Sequence, residues 1–185
     1  HNLFKEFWAK MEQNNASPIT RTETEHNYEG LMEECFASSP FTVGEKLSNF
    51  PMYVARQDVS KFLIRYEIFK RILNVHGSIV ECGVLRGAGL MAFAQFSAIF
   101  EPVHHLRRII GFDTFAGFRD LDEKDAKSAS RAAHKGGLAA DSYDEIKRCA
   151  ELYDQNRFAG HIPKIELVKG DATQTIPQYL EDNPH

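Results

Sequence analysis

The 185-residue chain is short of the features that mark several protein classes. Its three cysteines, Cys35, Cys82 and Cys149, are scattered, and no Cys-x-x-Cys pair occurs. That argues against a disulfide framework and a structural zinc site, and a reducing cytoplasm is the expected setting. Basic residues are not in excess: 22 Lys and Arg stand against 26 Asp and Glu, for a net charge of −4. A nucleic-acid binder would usually carry a basic stripe, so nucleic acid is not expected as a partner. No uninterrupted apolar run is long enough to span a bilayer and no signal peptide is expected at the start, so neither is a membrane. Internal repeats and low-complexity tracts are missing as well.

What remains is the composition of an ordinary folded domain, 43% hydrophobic and 26% charged. Residues 1–57 read as an N-terminal helical or lid segment. Leu3, Phe4, Phe7, Trp8 and Met11 recur at helical spacing, and this aromatic stripe hints at a homodimer. Asn14 through His26 reads as a loop, Tyr28 to Phe36 as a second helix, and Pro40, Gly44 and Pro51 interrupt regular structure after it.

Residues 58–185 read as an α/β domain. Val59, Phe62, Leu63, Tyr66, Phe69, Ile72 and Leu73 repeat at three and four, the pattern of an amphipathic helix, with Asp58 or Ser60 as its N-cap. Gly77 ends it. A short strand follows over Ser78–Cys82, with Cys82 expected as a small core residue, then a glycine turn and an apolar helix over Leu90–Phe100. A second strand, Arg107–Asp113, closes a strand–helix–strand crossover. The segment 119–140 is charged and rich in Ala and Gly. It reads as a long loop, and its acidic run (Asp120, Asp122, Glu123, Asp125) as solvated rather than metal-binding. Ser142 and Glu145 have capping-box spacing before a helix to about Asn156. Lys164–Asp171 is a third strand, and Thr175 and Pro177 open a last helix.

Each strand therefore delivers a carboxylate near its carboxyl end: Glu81, Asp113 and Asp171. In a parallel sheet these ends line one edge, where nucleotide-like ligands bind. The glycines of the first turn are spaced Gly83-x-x-x-Gly87-x-Gly89. That is neither the Gly-x-Gly-x-x-Gly of dinucleotide sites nor a Walker A loop. A pyrophosphate would be repelled by Glu81, whereas a cationic adenosyl ligand would be attracted. S-adenosylmethionine offers an ammonium, ribose hydroxyls and an exocyclic amine to carboxylates.

The combination Glu81-Cys82-Gly83-Val84 with Arg86-Gly87, then Gly111-Phe112-Asp113-Thr114-Phe115-Ala116-Gly117-Phe118, then Val168-Lys169-Gly170-Asp171 and Thr175-Ile176-Pro177 resembles the macrocin O-methyltransferase (TylF-type) family. The likeness covers roughly residues 60–182. It implies a Rossmann-like class I methyltransferase three-layer sandwich whose C-terminal sheet strands are not in this chain. By the same resemblance, Glu81, Gly83, Arg86 and Gly87 surround the methionine portion of the cofactor, with Val84 also in the cofactor-binding set. Asp113 holds the ribose hydroxyls with Thr114 and Phe115 nearby, and Gly170, Asp171 and Ala172 flank the adenine. The implied activity is S-adenosylmethionine-dependent O-methylation of a sugar or glycosylated metabolite, so the expected partner is a small-molecule or glycan acceptor. The family's divalent metal, usually magnesium, is expected from a segment beyond His185, as is the catalytic base. Competing readings are a non-catalytic Rossmann-like assembly module and a nicotinamide-dependent dehydrogenase.

Overall fold

The computed structural model describes residues 23–117 and 141–184. The Leu3–Met11 stripe and the segment 119–140 lie outside the described residues. The chain divides into two compact units, with the division between Ala55 and Arg56.

The first unit holds helix α1 (Glu23–Ser38), helix α2 (Val43–Ser48) and a 3-10 turn, Phe50–Met52. α1 begins inside the stretch expected to be loop. α2 forms despite Gly44 because its start is well capped. The Thr42 hydroxyl accepts the Glu45 N–H at 3.3 Å and the Glu45 carboxylate accepts the Thr42 N–H at 2.7 Å. Such a cap offsets the roughly 1 kcal/mol cost of one helical glycine. Lys46 is buried against the Phe36 ring, 4.6 Å from its centroid, and donates to the Phe36 carbonyl at 2.6 Å.

The second unit alternates helix and strand: α3 (Arg56–Ile72), β1 (Ile79–Cys82), α4 (Ala88–Phe100), β2 (Ile109–Asp113), α5 (Tyr143–Asp154), β3 (Ile165–Lys169) and α6 (Ala172–Asp182). The strands form a parallel sheet in the order β1-β2-β3. Ile79 pairs with Ile109, and Ile109 with Ile165. Because side chains alternate along a strand, these isoleucines share one face. That face is covered by Leu90 and Ala94 of α4 and by Ile146 and Tyr153 of α5. α3 packs on α4 through Phe69, Ala92 and Phe96. On the opposite face the Phe112 ring meets Tyr179 of α6 edge-on at 5.4 Å, and the Tyr179 hydroxyl donates to Glu166 at 2.8 Å. The result is a three-layer α/β sandwich, as expected. No described helix is long and apolar enough to cross a membrane.

At the amino edge of the sheet, Arg107 is a buried staple, 2% exposed. Its Nε and Nη2 donate to the two Glu101 carboxylate oxygens at 2.8 and 3.0 Å. Nη1 reaches the Gly77 carbonyl at 2.9 Å, and Nη2 also reaches those of Val75 and Ile72 at 2.8 and 3.2 Å. One side chain thus joins the end of α3, the entry to β1 and the end of α4.

Several local expectations are corrected. Asp58 and Ser60 are not caps but lie inside α3, which starts at Arg56. There Asp58 pairs with Lys61, and the Ser60 hydroxyl donates back to the Arg56 carbonyl. Arg107 and Arg108 precede β2 rather than belonging to it. α6 opens at Ala172, capped by Asp171, so Pro177 sits within the helix instead of starting it. Cys82 is exposed, not a core residue. Val80, two residues earlier on the same face of β1, is 52% exposed. On that face α6 covers Phe112 and Glu166 of β2 and β3 and leaves β1 open.

Candidate functional site

The site is built on the carboxyl edge of the sheet. Parallel pairing sets Glu81 opposite Gly111, and Cys82 opposite Phe112. The chain leaving β1 stays joined to β2, since the Gly83 N–H donates to the Phe112 carbonyl at 2.8 Å. The loop then turns back into α4 with φ of +82° at Gly83 and +81° at Gly87. Backbone of this hand is readily adopted only by glycine. Leu85, between them, also has a positive φ of 54°.

Glu81 is the unusual group. Its Oε2 is buried and has no hydrogen-bond partner among the described residues. Its Oε1 lies over Gly89, where any Cβ would overlap it. Burial pushes the Glu81 carboxyl above its ordinary range, Arg65 and the Leu90 backbone amide pull it down, and Asp113 adds a further upward push. A buried carboxylate oxygen without a donor costs free energy unless a ligand supplies one. This group is suited to accepting hydrogen bonds from a cation or hydroxyl bound at the strand ends.

Asp113 ends β2 and ties the two loops of the edge together. Its Oδ2 accepts the Leu85 N–H and its Oδ1 accepts the Phe115 N–H, both at 2.8 Å. Each oxygen keeps lone-pair capacity for a further donor. The carboxylate therefore has a structural duty besides any ligand contact. Asp113→Ala is expected to lower the unfolding free energy of the unliganded protein by about 1.5–3 kcal/mol, the scale of losing hydrogen bonds to a charged acceptor. Urea denaturation without ligand checks this, and unchanged stability would refute the structural duty.

The remaining candidates divide by where their side chains lie. Val84 and Phe115 are core residues, 3% and 7% exposed, so only their backbone borders the edge. The Thr114 hydroxyl donates to the Gly117 carbonyl at 3.1 Å and accepts the Ala116 N–H at 3.2 Å, holding the turn after β2. Arg86 is exposed at the loop tip. Gly87 packs on α5, where an added Cβ would come within 2.9 Å of Ile146. The Gly170 N–H donates to the Asp113 carbonyl at 2.9 Å, which brings the β3 exit to the same edge. Asp171 is the N-cap of α6: its Oδ1 accepts the Thr173 N–H at 3.0 Å and the Thr173 hydroxyl at 2.7 Å. Ala172 is the first residue of that helix. Glu81, Asp113 and the two glycine-containing exits thus meet at one edge, while Asp171 spends its side chain at least partly on the helix.

Two contributors were not legible in the sequence. Nothing about Leu85 signals a positive φ. Ser142 has capping-box spacing with Glu145, yet its side chain makes no cap hydrogen bond. Its hydroxyl donates instead to the Leu85 carbonyl. His104 and His105 lie in the loop between α4 and β2, and the His104 Nδ1 accepts the Arg107 N–H at 3.0 Å. Among the described residues no group of three His, Cys, Asp or Glu side chains could hold a metal ion.

A parallel sheet in the order β1-β2-β3, helices on both faces and an acidic, glycine-punctuated first loop define an α/β Rossmann-like fold of the kind found in methyltransferases. The chain is similar to the crystal structure of CalS11, a calicheamicin methyltransferase, with a TM-score of 0.83 and 30% identity. That match covers 90% of this chain and 65% of the other. It is also similar to the apo structure of CalS11, described as a TDP-rhamnose 3'-O-methyltransferase of calicheamicin biosynthesis, with a TM-score of 0.72 and 29% identity over 90% and 64% of the two chains. The chain therefore spans just under two thirds of the length of these proteins. No family model matches it, and a search of curated proteins returns no match.

Proposed function

We propose that this chain binds S-adenosylmethionine in an O-methyltransferase that acts on a hydroxyl of a sugar or glycosylated metabolite, of the macrocin type. The observation that carries the reading is the buried, unpartnered Glu81 oxygen at the carboxyl edge, close enough to Asp113 for the two charges to interact. The likeness to a sugar O-methyltransferase supports the acceptor class.

The acceptor set fits such a cofactor. Glu81 would accept hydrogen bonds from the ammonium of the methionine portion, and Asp113 would use its remaining lone pairs for the ribose hydroxyls. Gly83 keeps the loop free of a side chain where the ligand approaches, Gly87 lets the loop close on Ile146, and Gly170 with Ala172 borders the adenine. Bound there, S-adenosylmethionine supplies a sulfonium methyl for in-line displacement by an acceptor hydroxyl. The contribution of these residues is to hold the donor in one orientation, which lowers the entropic part of the barrier. The described residues do not offer a metal's ligand set, so no step is assigned to one. The acceptor on this reading is a small molecule or glycan, the setting is cytoplasmic, and a homodimer is the proposed assembly.

Calorimetric titration with S-adenosylhomocysteine and, separately, NAD tests the reading. Binding of the former without the latter is expected. Tight NAD binding with no response to S-adenosylhomocysteine would replace the proposal with a dehydrogenase, and binding of neither would favour a non-catalytic module.

A further inference from the structure

The loop after β1 is gripped from the α5 side at two points one helical turn apart. Ser142, immediately before α5, donates its hydroxyl to the Leu85 carbonyl. Ile146, in the first turn of α5, fills the space beside Gly87, where a Cβ would approach its Cγ1 to 2.9 Å. The two are linked by the first backbone hydrogen bond of the helix, Ile146 N–H to the Ser142 carbonyl at 2.9 Å. From the other side the Leu85 N–H is held by Asp113 at 2.8 Å. The peptide groups on both sides of Leu85 are therefore fixed by partners distant in sequence.

Leu85 needs such fixing. Its φ of 54° is one that a side-chain-bearing residue leaves readily, at a cost of about 1–2 kcal/mol while it is retained. Strained backbone persists only where surrounding contacts over-determine it. A loop released at Leu85 would no longer present Gly83 and Gly87 in their present geometry beside Glu81. The Ser142 hydroxyl, which does not cap its own helix, is placed to prevent this.

We propose that Ser142 is a positioning residue for the cofactor loop: through the Leu85 carbonyl it holds the loop in its ligand-ready conformation without touching the ligand. This rests on the cofactor reading above and extends it to a residue outside the sheet edge. In the whole chain, Ser142→Ala should weaken S-adenosylhomocysteine binding about fivefold, the equivalent of one ordinary hydrogen bond. Ser142→Thr, which keeps the hydroxyl, should restore the affinity. In the unliganded protein, amide exchange at Leu85 should speed up by a similar factor in Ser142→Ala, with exchange at Phe112 in β2 unchanged. Wild-type affinity in Ser142→Ala would overturn the inference, as would faster exchange spread equally over β2, which marks general loss of structure. If the wild type itself fails to bind, the cofactor reading falls instead. The exchange arm then still decides the clamp, and an unchanged Leu85 rate would overturn it.

Discussion

Arg107→Ala is expected to destabilise the unit that begins at Arg56 by about 3–5 kcal/mol, the usual consequence of removing one partner of a buried ion pair. The reason is what the guanidinium leaves behind. Glu101, whose side chain is 7% exposed, would keep a charge with its main counterion gone. The Gly77 and Val75 carbonyls would lose this donor in the same step, and the Ile72 carbonyl would keep only the Val75 N–H. Two of these close the end of α3, where unsatisfied carbonyls and the negative end of the helix dipole both favour a cation. Arg107→Lys should recover little, because an ammonium cannot reproduce the planar fork that meets both carboxylate oxygens. Replacing the pair together, as Arg107→Met with Glu101→Leu, should recover much of the loss, since no unpaired charge remains. Chemical denaturation of the four proteins measures this. A loss below about 1 kcal/mol in Arg107→Ala would refute the view that Glu101 and the three carbonyls depend on this guanidinium.

Glu81→Gln is expected to move stability and binding in opposite directions. Without ligand the variant should be more stable than the wild type at neutral pH, by on the order of 1 kcal/mol, because an ionised carboxylate with a buried unpartnered oxygen is replaced by a neutral amide. S-adenosylhomocysteine should bind about 10- to 100-fold more weakly, the loss of a charge-assisted hydrogen bond. Functional groups that cost stability in the empty site are a common compromise.

The pH dependence follows from the upward shift of Glu81, caused first by burial. Between the ordinary carboxyl range and the raised folded value, the folded protein holds more protons than the unfolded chain. Stability contributed by this group therefore falls as pH rises through that window, and the full penalty is present above it. Ligand binding has the opposite slope. A cation prefers the ionised carboxylate, so affinity should rise with pH through the same window and then level off. Both slopes should be missing in Glu81→Gln. Calorimetry and denaturation across mildly acidic pH measure them, and equal affinity of the two proteins would remove Glu81 from the site.

Much of this architecture could be read locally. The three-and-four repeat from Val59 to Leu73 marks α3, and the apolar run from Leu90 marks α4. The short β-rich runs ending near Glu81, Asp113 and Asp171 mark strands whose carboxyl ends share one edge. These features depend on residues a few positions apart, so periodicity and turn chemistry suffice to find them. Boundaries were less legible. Ser60 and Ser142 have the chemistry of caps, but serine hydroxyls bond to whichever backbone group the fold brings near, an earlier turn of the same helix for one and a distant loop for the other.

Long-range partners were not legible at all. Arg107 reads as one more strand residue until Gly77 and Val75 are folded against it, and Cys82 reads as core until the covering of each sheet face is known. Asp113 reads as a ligand group, and only its contacts with Leu85 and Phe115 reveal that it also holds the loops. Alternation of helix and strand, and the residues chosen to end each strand, were enough to define the α/β plan and the acidic edge, because those choices answer to neighbours in sequence. Which carboxylate oxygen is left without a partner among the described residues, and which residues steady the loop beside it, were decided by the packed chain. Burial and hydrogen-bond pairing depend on groups far apart in sequence, and only folding brings these together.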